Sequence, residues 1–149
     1  MVERLGWMDE VAAIKQARSL PVTDPVREAA LLDEMEKLAA SSGLPGKPVR
    51  QFFAGQIKAA KVFQEEWLTK QSLQHSNGKA LPDLAKTIRP ALDDIGKRMI
   101  TALAGQLHRT DTLELTVEAR RRLHEAGYSE AVARPALEGL DAALRGISR

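Results

Sequence analysis

The stretch PVRQFFAGQIKAAKVFQEEWLTKQSLQ, residues 48–74, decides the fold. Phe53, Ile57, Ala60, Trp67 and Leu68 recur at intervals of three, four, seven or eight residues, the spacing of one helical face rather than the alternation of a strand. A long helix from about Pro48 to Gln74 is expected. Gln64 falls on the same stripe and interrupts it. A buried amide without a partner costs roughly 1–3 kcal/mol, so Gln64 needs one; a side chain from another helix and a bound ligand stand equally open. Lys61 lies roughly 70° round the helix from the centre of the stripe. Its position reads more readily as a solvated edge lysine.

The same periodicity runs outward in both directions, punctuated by proline and glycine. It predicts helices over about Glu3–Ala17, from Asp24 to the stop at SSGLPGKP, from Asp83 to about His108, over Thr112–Ala126 and over Ser129–Gly146. With residues 48–74 this makes an all-α, single-domain bundle of about six helices over residues 1–149. In the fourth helix Ile88, Leu92, Ile95, Met99 and Leu103 mark the core face, with Ala102 beside them, and Pro90 falls within the first two turns, where a missing N–H costs least. At 149 residues, 44% hydrophobic and 28% charged, the chain suits one buried core. A net charge of +2 with scattered lysine and arginine argues against a nucleic-acid partner. No apolar run approaches the roughly 20 residues of a membrane span, and the N-terminus lacks a basic-then-apolar signal pattern, so no membrane partner is expected. The absence of cysteine removes disulfides and thiolate chemistry.

The charged residues on apolar faces carry the functional question. Arg4, Met8, Val11 and Lys15 share one stripe of the first helix, with the two cations about 16 Å apart along its axis. Their stems could cover apolar surface while the charges reach water, or the charges could converge on a ligand. Asp24 before Pro25 reads as a helix cap, which puts Arg27 in the first turn against the positive end of the helix, where a capping box would have Glu or Gln. An anion would reverse that penalty, either a neighbouring side chain or a ligand. Arg89 borders the core face of the fourth helix and could turn either way. His75, His108 and His124 lie in separate segments without ligand spacing, so no metal is expected. There is no Gly-rich phosphate loop, no nucleophile elbow and no candidate for covalent catalysis.

Taken in order, ERL at residues 3–5 with Lys15 eleven residues after Arg4, LPVTDPVREAAL at 20–31, VRQFFAGQIKAAKVFQ at 49–64 and the later Arg89 resemble the all-helical, type II chorismate mutases. The two added C-terminal helices resemble the exported subclass, whose single chain holds a complete site. The resemblance implies a Claisen rearrangement of chorismate to prephenate without metal or cofactor. It implies that Arg4, Arg27 and Arg89 hold the two substrate carboxylates, that Asp24 and Glu28 surround the ring hydroxyl, and that Lys15 and Gln64 donate to the ether oxygen. Many members carry a hydroxyl residue where Ala60 stands, a role open here to Lys61 or a backbone N–H. Some exported relatives carry glutamate at the place of Gln64, which must be protonated to donate, whereas an amide donates at any pH. The resemblance further implies a periplasmic or secreted homodimer. Two other readings are a relative that binds chorismate or a similar dicarboxylate without turnover, and a helical partner-binding domain whose polar stripe residues only join helices.

Overall fold

The computed structural model describes residues 1–71, 81–106 and 112–147. Its helices are α1 (Val2–Leu5), α2 (Met8–Ala17), α3 (Pro25–Ser41), α4 (Gly46–Gln71), α5 (Arg89–Ala104), α6 (Thr112–Glu125) and α7 (Glu130–Ile147), with no strand among the described residues. Helix α4 is the axle. Val49, Phe52, Phe53 and Ile57 pack with Met35, Ile100 and Leu144, and one to two turns further on Ala59 and Ala60 pack with Leu5, Met8, Ile88, Leu123 and Leu137.

Of the expected stripe, Phe53, Ile57, Ala60 and Gln64 are buried while Trp67 and Leu68 are only partly so, and α4 also buries a second stripe, Phe52, Gln56 and Ala59, because α7 covers it. Small residues permit that close approach. A Cβ added to Gly55 would stand 2.5 Å from the Pro135 carbonyl oxygen and 2.9 Å from Gly139 Cα. Gln56, 1% exposed, donates from Nε2 to the Ala136 carbonyl at 3.3 Å across the same seam.

Three boundaries differ from expectation. The first helix is split, because Gly6 is a poor helix former and Trp7 relaxes to φ −84°, ψ −6° before α2 restarts. The fourth begins with a π-helical turn, Leu84–Ile88. Pro90 has no N–H, and its ring would press on the carbonyl four residues back. In the widened turn the Ile88 and Arg89 N–H groups instead reach five residues back, to Asp83 at 3.2 Å and to Leu84. The Asp83 carboxylate caps the Ala85 and Lys86 N–H groups at 2.8 and 2.7 Å. Ala102 is exposed while Ile100 is 2% exposed, so the core face of α5 lies to the Ile100 side of the expected stripe. The helix ends at Ala104; residues 72–74, expected in the third helix, and the positions of His75 and His108 lie outside the described residues.

The start of α3 resolves part of the conflict at Arg27. Asp24 Oδ1 accepts from the Arg27 N–H at 3.0 Å, and Glu28 Oε1 accepts from the Asp24 N–H at 3.2 Å. This is a capping box displaced by one residue, which frees the Arg27 side chain from any capping duty. At the end of α2, Ser19 adopts φ 52° and the Leu20 N–H closes on the Lys15 carbonyl at 2.8 Å, turning the chain back over the helix end.

Gly55→Ala is expected to destabilise the fold by about 1–3 kcal/mol, because the added methyl meets backbone atoms that have no rotamer to change. Thermal or urea denaturation checks this, and an unchanged midpoint would refute the close seam.

Candidate active site

A cavity of about 130 Å³ opens where α1, α2, α3, α4 and α5 meet. Arg4 comes to it from α1 and Lys15 from α2; Asp24, Arg27 and Glu28 from the start of α3; Lys61 and Gln64 from α4; Arg89 from the start of α5. The eight residues singled out in the sequence therefore line one space. Leu31, Ile57, Leu84 and Leu92 complete its apolar wall.

Arg4 is 5% exposed, and its guanidinium makes no hydrogen bond or ion pair among the described residues; Nε is buried and unpartnered. Burial pushes its pKa down to about 10; Asp93 opposes that shift and Arg27 adds to it. Lys15 donates from Nζ to the Val22 carbonyl at 2.6 Å, which fixes the ammonium at the cavity wall. Burial lowers its pKa from the ordinary lysine value, against the pull of Asp24 and Glu28.

Gln64, 4% exposed, donates from Nε2 to the Ala60 carbonyl one turn back at 3.1 Å, and Nε2 also lies 3.7 Å from the Met8 sulfur. A sulfur is a weak acceptor, so the second N–H is held only loosely, and the amide oxygen is buried without a partner. The amide is thus satisfied in part by its own helix rather than by a polar group from another.

Lys61 is not the solvated edge lysine its position suggested. Its Nζ lies 3.0 Å from Glu28 Oε2, with both side chains about one quarter exposed. Glu28 thereby joins the cap of α3 to α4. Beside Arg27 the anion in this structure is a side chain: Asp93 Oδ1 stands 3.2 Å from Nη2. Sequence reasoning missed Asp93, although it lies four residues after Arg89 and so on the same face of α5. It also missed the Val22 carbonyl, for which side-chain patterns give no signal.

With all groups ionised, the cavity carries five cations, Arg4, Lys15, Arg27, Lys61 and Arg89, against three carboxylates, Asp24, Glu28 and Asp93. Two positive charges are in excess. In an apolar surround such an excess draws anions far more strongly than it would in water.

The chorismate mutase type II family model matches residues 1–65, the segment that holds every candidate except Arg89. The crystal structure of a chorismate mutase from Burkholderia thailandensis is 30% identical and superposes with a TM-score of 0.76, over 98% of this chain and 92% of that one. The chain belongs to the type II chorismate mutase family. Among curated proteins, a secreted chorismate mutase of Yersinia pestis is 28% identical over 108 residues, and a monofunctional chorismate mutase of Enterobacter agglomerans is 31% identical over 111 residues. Each match takes in 70% of this chain, which spans a little over half the length of either protein, 56% and 58%. The described part of this chorismate mutase family member has no helix long and apolar enough to cross a membrane.

Arg4→Met replaces a buried cation that has no partner among the described residues by a shorter, apolar chain that keeps the stem, a change expected to raise stability by about 1 kcal/mol or more. That corresponds to a rise in Tm of about 3 °C, readable by calorimetry. A fall in Tm would mean that the guanidinium has a structural partner.

Proposed function

We propose that this chain is a chorismate mutase that converts chorismate to prephenate in a site built from one chain. The observation that carries the reading is the surplus of two cations in a cavity whose most buried cation, Arg4, has no hydrogen-bond or ion-pair partner among the described residues. A substrate with two carboxylates supplies the missing charge, and the apolar wall accepts its ring. Arg4, Arg27 and Arg89 hold the carboxylates, with Lys61 beside them at the place where Ala60 offers no hydroxyl. Asp24 and Glu28 face the ring hydroxyl.

The rearrangement breaks one C–O bond and forms one C–C bond in a single cyclic movement of electrons, with no proton transferred. Negative charge grows on the ether oxygen as its bond lengthens. Lys15 retains two ammonium N–H groups beyond the one given to Val22, and Gln64 retains the N–H that faces only a sulfur. Both are donors already in place when that charge develops. A preorganised donor of this kind is worth about 2.7–4 kcal/mol, so two approach the roughly 8 kcal/mol of a millionfold acceleration. Holding both carboxylates selects the folded, reactive conformer and supplies the remainder. No step calls for a metal or cofactor.

Export to the periplasm or the medium is part of the proposal, supported by the likeness to a secreted relative and by the C-terminal pair α6 and α7. So is a homodimer with one complete site per subunit, in keeping with a cavity lined from a single chain.

Incubation with chorismate is expected to consume its absorbance and yield prephenate; tight binding without turnover would replace this reading by that of a non-catalytic dicarboxylate binder. Gln64→Glu should keep the fold but confine activity to acidic pH, since only the protonated acid donates. An unchanged pH profile would remove Gln64 from the ether oxygen. Because burial lowers the Lys15 pKa and the cation is the active form, wild-type kcat/KM should decline on the alkaline side before the ordinary lysine range near 10.5 is reached. A flat rate through that range would contradict the assignment.

A further inference from the structure

Asp93 is the cavity-lining carboxylate for which the proposed roles have no use. It projects from α5 one turn after Arg89, and its Oδ1 meets Nη2 of Arg27 at 3.2 Å. That is the sole hydrogen bond of the Arg27 guanidinium among the described residues. Arg27 stands on α3 and Arg4 on α1, so Asp93 is the group from a third element that acts on both guanidinium groups: it touches the first and its field opposes the shift of the second. Without it, the buried Arg4 guanidinium and the partly exposed Arg27 guanidinium would repel each other with no carboxylate acting on both.

We propose that Asp93 is a positioning residue for the rearrangement: it grips the Arg27 guanidinium by one corner, leaves the rest of the fork for a substrate carboxylate, and limits the cavity's surplus to the two charges a dicarboxylate brings. This rests on the reading of the cavity as a chorismate site. The geometry separates it from a carboxylate that merely competes with substrate. A competing anion would close on the planar fork through two parallel bonds, the arrangement guanidinium and carboxylate prefer when both are free. Here there is one bond to one nitrogen, and the side chains remain 37% and 29% exposed, so Asp93 leaves the other nitrogens of Arg27 accessible.

The test compares wild type, Asp93→Asn and Asp93→Glu. Side-chain ¹⁵N NMR of the unliganded proteins should show hindered rotation of the Arg27 guanidinium in wild type, averaging in Asp93→Asn and recovery in Asp93→Glu. For chorismate, Asp93→Asn should raise KM about tenfold, the effect of one charge-assisted hydrogen bond, with kcat within about threefold, and Asp93→Glu should recover most of the loss. A bicyclic dicarboxylate mimic of the transition state should lose affinity in parallel. Equal or tighter binding by Asp93→Asn would show a competing counterion and overturn the proposal. So would loss of the fold in Asp93→Asn, which would make the role structural. If wild type neither turned over chorismate nor bound the mimic, the functional reading would fall, while the NMR comparison would still decide whether Asp93 orders Arg27.

Discussion

An unpaired guanidinium inside a protein is costly, of the order of several kcal/mol, because the cation leaves water and receives nothing in exchange. Among the described residues Arg4 is such a group, and the arrangement of the other helices around the cavity can be understood from it. Under the proposed reading, a buried charge without a protein counterion holds in reserve the attraction it would exert on an anion. The cost must be offset elsewhere in the molecule, and the place is the long seam between α4 and α7. There Gly55 and Gly139 let two backbones approach, and Phe52, Leu137 and Leu144 fill the interior.

The remaining charges are disposed so that the reserve is not dissipated. Each carboxylate of the cavity is already committed: Asp24 to an N–H of its own helix, Glu28 to the Asp24 N–H and to Lys61, Asp93 to one corner of Arg27. None reaches Arg4. Lys15 is pinned by a backbone carbonyl that the turn through Ser19 brings within reach, and Gln64 by the carbonyl of Ala60. These anchors use part of each donor's capacity and leave the rest pointing at one small volume. In the proposed rearrangement, stabilisation of growing charge would then be available without reorganisation at the moment of reaction.

Much of this was legible in the chain itself. Apolar residues three and four apart dictate helices because that spacing is a local property of 3.6 residues per turn, and it also places Arg4, Lys15 and Gln64 on buried stripes before any partner is known. Asp24 with Pro25 announces the start of α3, and the order of the charged pieces along the chain points to the family. These are short-range facts, settled by neighbours in sequence.

What the tertiary structure decided depends on residues distant in the chain. Whether Lys61 meets water or Glu28, whether Arg89 turns inward, and which anion faces Arg27 all follow from how far each helix is rotated about its axis. That rotation is set by the contact of α4 with α7, by the break at Gly6 and by the widened turn that Pro90 imposes on α5. Asp93 was not legible as a member of the site because one carboxylate on a helix carries no mark of the guanidinium opposite it until the packing of α3 against α5 brings the two together.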